Sequence, residues 1–114
     1  MQAIKWLPEF LTLKLPKIDF TVLRPDVAML KANRSQSNLT WIGHSTFLIQ
    51  INGLNVITDP VFSDRASPFS ALGPKRMAPP AMGYQDLPSL DLALVSHNHY
   101  DHLDEKAVRR LAKD

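Results

Sequence analysis

The chain contains no cysteine, which excludes disulfide bonds and thiolate ligands for a metal ion. A metal site in this protein must therefore be built from histidine, aspartate and glutamate. This set of donors suits zinc, manganese or iron. The lack of cysteine also fits a reducing compartment, so we expect a cytoplasmic protein.

Long hydrophobic runs are also absent. The stretch of residues 1–15 is apolar, but four residues interrupt it: Lys5, Pro8, Glu9 and Lys14. It has neither the uninterrupted core nor the cleavage site of a signal peptide, and we expect no transmembrane helix. It does contain one apolar cluster, which consists of Trp6, Leu7, Phe10 and Leu11. We expect this cluster to pack against the domain, with peripheral contact to a membrane as the alternative.

Neither sign of charge predominates. The net charge is +2, and no basic run suggests a surface for nucleic acid, so we expect no nucleic-acid partner. Hydrophobic residues make up 45% and charged residues 21% of the 114 residues, which is the balance of a soluble globular protein. At this length, one small domain is the upper bound.

Two regions of different character follow one another along the chain. Residues 1–38 contain scattered prolines and one short predicted helix, from Pro25 to near Asn33, and we interpret them as an N-terminal extension. Residues 39–114 are β-rich at first and are interpreted as the folded domain. Within them, Asn52-Gly53 separates two strand-like runs, which is the strongest short-range signal for a β-hairpin.

Six prolines between residues 60 and 90 predict a long irregular loop. Such a loop is either functional, for example as a lid, or a plain surface excursion. Lys75 and Arg76 lie in it and could meet a phosphate, although a solvated charge pair is the commoner explanation.

After the loop, residues 91–95 predict a short strand of the buried type. Asp104 is the expected N-cap of a helix from Glu105 to about Lys113, with acidic residues at its start and basic residues at its end.

Four potential metal ligands lie between this strand and this helix: His97, His99, Asp101 and His102. Side chains at that position can converge in the crevice beyond the carboxyl end of the strand. His97 and His99 can share one metal ion, while Asp101 and His102 turn toward a second. Two ions about 3.5 to 4 Å apart can hold a hydroxide for attack on an ester or phosphodiester, with Asp101 helping to position it. Solvated loop histidines are the alternative, but three of the chain's four histidines lie in this run.

Other polar residues can support this site. Asp59 ends a strand that should lie beside the motif strand, so it can accept a hydrogen bond from a ligand histidine, or it can be a simple turn residue. His44 follows a glycine and can face the metal cleft as a substrate or supporting contact, although a structural histidine is the more common case. Ser45 and Ser96 are expected to be structural, because a metal-held hydroxide needs no side-chain nucleophile.

Residues 96–104, with the sequence SHNHYDHLD, resemble the HxHxDH signature of the metallo-β-lactamase superfamily. Upstream, residues 41–49, 54–62 and 73–76 resemble the N-terminal half of one branch of that superfamily. This branch contains N-acylphosphatidylethanolamine-hydrolysing phospholipase D and related lactonase-type hydrolases. The resemblance covers about residues 39–114.

The resemblance implies an α/β fold, the αββα sandwich of the superfamily, of which this chain supplies the N-terminal part. It also implies that the residues matching His97 and His99 bind a first zinc ion, and those matching Asp101 and His102 a second. Family members add three more ligands from segments beyond the position of Asp114. We therefore expect the first half of a two-zinc site, and either self-association or pairing with a C-terminal half.

Three hypotheses for function follow. The first is a zinc-dependent phosphodiesterase of the phospholipase D-like kind, acting on a small-molecule or lipid phosphodiester. The second is a lactone or other ester hydrolase, which would use the same four ligands. The third is a metal-binding fragment without turnover. An incomplete sandwich should also leave an uncovered apolar face around Phe47, Ile49, Val56 and Val95.

Overall fold

The computed structural model describes residues 21–69 and 71–113, and the apolar cluster between Trp6 and Leu11 lies outside them. The elements are helix α1 (Val27–Ala32), strands β1 (Asn38–Gly43), β2 (Thr46–Ile51) and β3 (Leu54–Thr58), a 3-10 turn (Tyr84–Asp86), strand β4 (Leu92–Leu94) and helix α2 (Glu105–Leu111). This mixed α/β architecture confirms the expected α/β class and is consistent with the N-terminal part of a metallo-β-lactamase fold. Neither helix is long and apolar enough to cross a membrane, within the part of the chain that is described.

The four strands form a sheet in the order β1-β2-β3-β4. The first three are antiparallel, whereas β4 pairs in parallel with β3. The turn between β2 and β3 contains Asn52 and Gly53, whose φ angles are both positive, at 51° and 79°. A type I′ turn has positive φ at both central residues, and Ile51 pairs with Leu54 across the turn, so the predicted hairpin is confirmed.

The core lies on one face of the sheet. Leu48 and Ile57 on that face are fully buried and pack with Leu30 of α1 and Met82 of the loop. Since α1 falls within residues 1–38, part of the predicted extension packs onto the domain. The boundary at residue 38 stays a prediction.

Helix α1 begins at Val27 and not at Pro25 as expected. The reason is its N-cap: Asp26 has an extended backbone, and its side chain accepts a hydrogen bond from the backbone N–H of Met29.

The opposite face of the sheet is apolar and only partly covered. Phe47, Ile49 and Val56 on this face are half-buried. Six large apolar residues on the same face, at or next to the strands, are exposed: Leu39, Trp41, Ile51, Leu54, Leu92 and Leu94. In the described structure, the apolar face expected around Phe47, Ile49 and Val56 is therefore only partly covered, and Val95, which was expected on it, is 40% exposed but lies beyond the end of β4.

The interpretation of residues 91–95 as a buried strand is wrong. Leu92 is 50% and Leu94 is 49% exposed. The physical reason is that, within residues 21–69 and 71–113, β4 lies at the edge of the sheet and pairs with β3 on one side only.

The proline-rich loop is held by two charged side chains. Arg76 is half-buried, and its guanidinium donates hydrogen bonds to the carbonyl oxygens of Ser63 and Val61 at 3.1 and 2.8 Å. Arg76 therefore ties the loop to itself, and neither role considered from the sequence, a phosphate contact or a solvated charge, describes it. Asp104 is the second, because one of its oxygens accepts from the backbone N–H groups of Phe62 and Ser63.

Candidate metal centre

Three segments meet at one end of the sheet. Strands β3 and β4 are parallel and end side by side, and the backbone N–H of Asp59 donates to the carbonyl of Leu94 at 2.7 Å. The run of residues 96–102 follows β4. The turn of residues 43–45 reaches the same end, because β2 starts where β3 finishes. Candidate ligands that are distant in sequence can therefore approach one another here.

His97 and His99 form the first pair of candidate ligands. Nε2 of His97 lies 3.1 Å from Nδ1 of His99, and both side chains are exposed. Two nitrogen ligands on a tetrahedral zinc ion, each at about 2.0–2.1 Å from the metal, are about 3.3 Å apart. The spacing of these two atoms is thus close to that of two ligands of one ion.

Asp101 and His102 form the second pair. Nε2 of His102 lies 3.7 Å from Oδ2 of Asp101. The two pairs are neighbours, since the ring centroids of His97 and His102 are 4.0 Å apart. The structure therefore brings together the four ligands predicted from the sequence, and their role as metal ligands stays a prediction.

Asp59 orients this cluster by accepting hydrogen bonds from His102 and Ser96. Its Oδ2 accepts a hydrogen bond from Nδ1 of His102 at 2.9 Å, and its two oxygens accept from the backbone N–H and the hydroxyl of Ser96 at 2.6 and 2.8 Å. Because an ionised carboxylate only accepts, Nδ1 of His102 must carry the ring proton. The lone pair of Nε2 is then free for a metal, as in a histidine ligand supported by a carboxylate.

Ser96 extends this effect to His97. Its single hydroxyl proton goes to Asp59, so its contact with Nδ1 of His97, at 2.9 Å, requires His97 to donate. His97 therefore also leaves Nε2 unprotonated. The sequence had indicated only a structural role for Ser96. Its position directly before His97, together with the ability of a hydroxyl to donate and accept at once, was the signal for this role.

Both carboxylates of the cluster are held in the ionised state. Burial raises the pKa of Asp59, but the hydrogen bonds from His102 and Ser96 outweigh it and keep the pKa below its usual value. Burial also raises the pKa of Asp101, but hydrogen bonds from its own backbone and from His44, together with the nearby His102, outweigh this effect and keep the pKa below its usual value. Asp59 and Asp101 can therefore act as anionic acceptors near neutral pH.

His44 faces the cluster. Its Nε2 lies 3.1 Å from Oδ2 of Asp101. Ligand atoms of His44, Asp101 and His102 all lie within 4.8 Å of one another. The structure thus places His44 and Asp59, the two supporting residues suggested by the sequence, in contact with candidate ligands.

The chemistry of the donors fits a metal ion of the predicted kind. Imidazole nitrogens and a carboxylate suit zinc, manganese or iron, and the chain has no cysteine that could supply a thiolate ligand. His97 and His102 present unprotonated nitrogens, and Asp101 presents a negative charge, which are the forms in which these side chains bind metals.

Comparison with known proteins identifies relatives over the same part of the chain. The model of a family described as the beta-lactamase superfamily domain matches residues 38–113. The chain is 56% identical over 79 residues to N-acyl-phosphatidylethanolamine-hydrolyzing phospholipase D 1 of Caenorhabditis elegans, covering 68% of this chain and 22% of that protein. It is 46% identical over 69 residues to the mitochondrial protein of the same name from Saccharomyces cerevisiae, covering 60% and 14%.

A third relative carries a broader name. It is a UPF0173 metal-dependent hydrolase of Methanopyrus kandleri, 37% identical over 67 residues, which cover 59% of this chain and 24% of that protein. The chain therefore spans about a fifth of the length of the curated relatives it matches.

Proposed function

Because the chain belongs to the beta-lactamase superfamily domain family, we propose that it carries part of the active site of a metal-dependent hydrolase. The observation that carries this proposal is the cluster of His97, His99, Asp101 and His102 at the end of the sheet. In finer detail, we propose that the metal is zinc, that the complete protein holds two ions, and that the reaction is hydrolysis of a phosphodiester.

Zinc is supported by the identity and spacing of the donor atoms. His97 and His99 would hold one ion, and Asp101 and His102 the other. When bound, zinc supplies a Lewis acid and lowers the pKa of water to about 7. The chain's own contribution is to set the protonation of its ligands. Asp59 keeps a proton on Nδ1 of His102, and the hydroxyl oxygen of Ser96, which accepts a hydrogen bond from Nδ1–H of His97, keeps a proton there as well.

A lipid phosphodiester is the substrate class that the names of the relatives support. The proteins of C. elegans and S. cerevisiae are both named as phospholipases D that hydrolyse N-acyl-phosphatidylethanolamine. The protein of M. kandleri is named only as a metal-dependent hydrolase, which supports the coarser proposal. Contact with a membrane would bring such a substrate to the site and is proposed with it.

Zinc binding by the purified chain is the direct test of the site. We expect calorimetric titration to show binding that is lost when His97, His99 and His102 are all changed to alanine. Asn98→Ala with Tyr100→Ala is a matched control, because these two exposed residues alternate with the ligands in the same loop. Titration heats of the parent chain that equal those of the triple variant would refute the proposed site.

The reaction is tested by Asp101→Asn in the intact gene product. This change keeps the shape of the side chain and removes its negative charge. We expect turnover of a bis-nitrophenyl phosphodiester to fall at least about a hundredfold, on the order of 2.7 kcal/mol in the barrier. Glu105→Gln, which changes an exposed carboxylate on α2, should leave turnover unchanged. Turnover within about threefold of the parent, with zinc retained, would show that the role of Asp101 is wrong.

A further inference from the structure

Two adjacent residues in the turn between β1 and β2 contact Asp101. Nε2 of His44 lies 3.1 Å from Oδ2 of Asp101, and the hydroxyl of Ser45 donates to the backbone carbonyl of Asp101 at 3.3 Å. These partners are 57 and 56 positions from Asp101 in the sequence. Both the side chain and the backbone of Asp101 are therefore held by the same distant turn.

The turn itself is anchored to the sheet. The indole N–H of Trp41 donates to the carbonyl of His44 at 2.9 Å, and the hydroxyl of Thr58 donates to the carbonyl of Ser45 at 3.1 Å. His44 has a φ of 50°, a left-handed conformation that residues other than glycine rarely adopt. Such a conformation persists where the surrounding structure enforces it, and it is concentrated at functional sites. The turn is thus a fixed support on which His44 points at Asp101.

The direction of the hydrogen bond shows what His44 does. The carboxylate of Asp101 only accepts, so Nε2 of His44 carries the proton and offers no lone pair to a metal. A carboxylate oxygen has two lone pairs. Oδ2 of Asp101 can accept the hydrogen bond from His44 with one lone pair and still face Nε2 of His102, 3.7 Å away, with the other.

We infer that the turn of residues 43–45 positions Asp101 for metal binding, with His44 orienting its carboxylate toward His102 and Ser45 fixing its backbone. His44 and Ser45 are positioning residues, since they act through Asp101. The inference rests on the proposed function, in which Asp101 and His102 hold one ion. A metal-binding carboxylate that is itself hydrogen-bonded is preorganised, and loss of such a partner typically lowers metal affinity by about ten- to a hundredfold.

Two substitutions of His44 and one of Ser45 test the inference in the full chain, with the dissociation constant for Zn²⁺ measured by calorimetric titration. His44→Asn keeps a residue that tolerates the left-handed backbone, but its amide is too short to reach Asp101. We expect its zinc affinity to fall by about ten- to a hundredfold. His44→Gln restores a donor of similar reach and should bind within about threefold of the parent. Ser45→Ala should cause a smaller loss. Asn52→Ala is the control, because it alters another left-handed turn of the same sheet, away from the cluster.

His44→Glu separates positioning from direct ligation. An ionised glutamate cannot donate to Asp101, but it can bind a metal, so positioning predicts weak binding for this variant. Strong binding by His44→Glu together with weak binding by His44→Gln would make His44 a ligand and overturn the inference. Parent-like affinity of His44→Asn would overturn it as well.

Asp101→Asn, titrated in parallel, distinguishes this inference from the proposed function. If Asp101→Asn weakens zinc binding while His44→Asn does not, the inference fails and the proposed site stands. If Asp101→Asn binds zinc as the parent does, both fail. Cobalt substitution gives a second readout, since the visible spectrum of bound Co²⁺ should change in His44→Asn and be restored in His44→Gln.

Discussion

Nδ1 of His102 lies 2.9 Å from Oδ2 of Asp59, although the two residues are 43 positions apart in the sequence. They meet because β3 and β4 are parallel neighbours and each residue follows one of these strands. The same carboxylate accepts two hydrogen bonds from Ser96, so one buried residue sets the orientation and protonation of the loop that carries the predicted ligands.

Asp59→Asn should therefore weaken zinc binding without breaking the turn. Asparagine tolerates the φ of 38° found at this position, but its single carbonyl oxygen cannot accept all three hydrogen bonds. We expect the zinc affinity to fall by about ten- to a hundredfold in a calorimetric titration. Asp64→Asn, at an exposed position of the loop, should bind zinc as the parent does. Equal affinities for the two variants would contradict a supporting role for Asp59.

Asp104→Asn should destabilise the fold. The structure confirms Asp104 as the helix cap predicted from the sequence, a role in which asparagine is nearly as good, and adds a second role that the sequence did not predict. Oδ1 of Asp104 caps α2, while Oδ2 accepts from the N–H groups of Phe62 and Ser63. Asparagine has one carbonyl oxygen and one NH₂ group. Either the N–H groups at the start of α2 or those of Phe62 and Ser63 would then face a donor in place of an acceptor.

We expect Asp104→Asn to lower the free energy of unfolding by about 1–3 kcal/mol, measured by urea denaturation. Asp26→Asn is the matched control, because Asp26 caps α1 with one hydrogen bond and has an exposed side chain. Its effect should be within about 0.5 kcal/mol. A loss for Asp104→Asn no larger than that of the control would refute the argument.

Stability should fall at high pH through Tyr84. Burial raises the pKa of Tyr84, and the negative charge of Asp104 raises it further, which together outweigh Arg110 and Arg76. A group whose pKa is raised on folding makes its full contribution to stability at pH values below its pKa in the unfolded chain, which is about 10 for tyrosine. That contribution is lost as the pH rises through the pKa of the group in the folded protein. Denaturation midpoints should therefore decrease above about pH 10, and less so in Tyr84→Phe. Tyr100→Phe, at an exposed tyrosine, should follow the parent, and an identical profile for all three proteins would contradict the prediction.

The partly covered face of the sheet should promote self-association. Leu54 and Leu94 are each about half exposed on this face. In sedimentation velocity runs, we expect the parent chain to associate as its concentration rises. The double variant Leu54→Lys with Leu94→Lys should stay closer to monomer, because lysine disfavours apolar contacts and pairing between sheet edges. Leu23→Lys is the control, since Leu23 is 84% exposed and lies outside the sheet. A parent chain that is monomeric over the whole concentration range would rule the prediction out.

Local features of this protein were predictable from the sequence because short stretches of chain determine them. Asn52-Gly53 supplies the two positive φ angles of the hairpin turn, and Asp104 caps α2 through its own neighbours. The four predicted ligands lie within six residues, so their convergence required only a loop after a strand. The resemblance of the same residues to a known family predicted the fold class, which the family match confirms.

Contacts between distant residues were decided only by the tertiary structure. Nothing in the local sequence places His44 on Asp101 or Asp104 on Ser63, because these contacts depend on which strands pair and where each strand ends. The exposure of β4 was missed for the same reason: its residues are as apolar as those of a buried strand, but its burial depends on what packs against it. The sequence by itself determined the hairpin and the clustering of the candidate ligands, since both lie within a few residues of chain. The tertiary structure decided which side chains hold those ligands in place, since the parallel pairing of β3 with β4 brings Asp59 to His102.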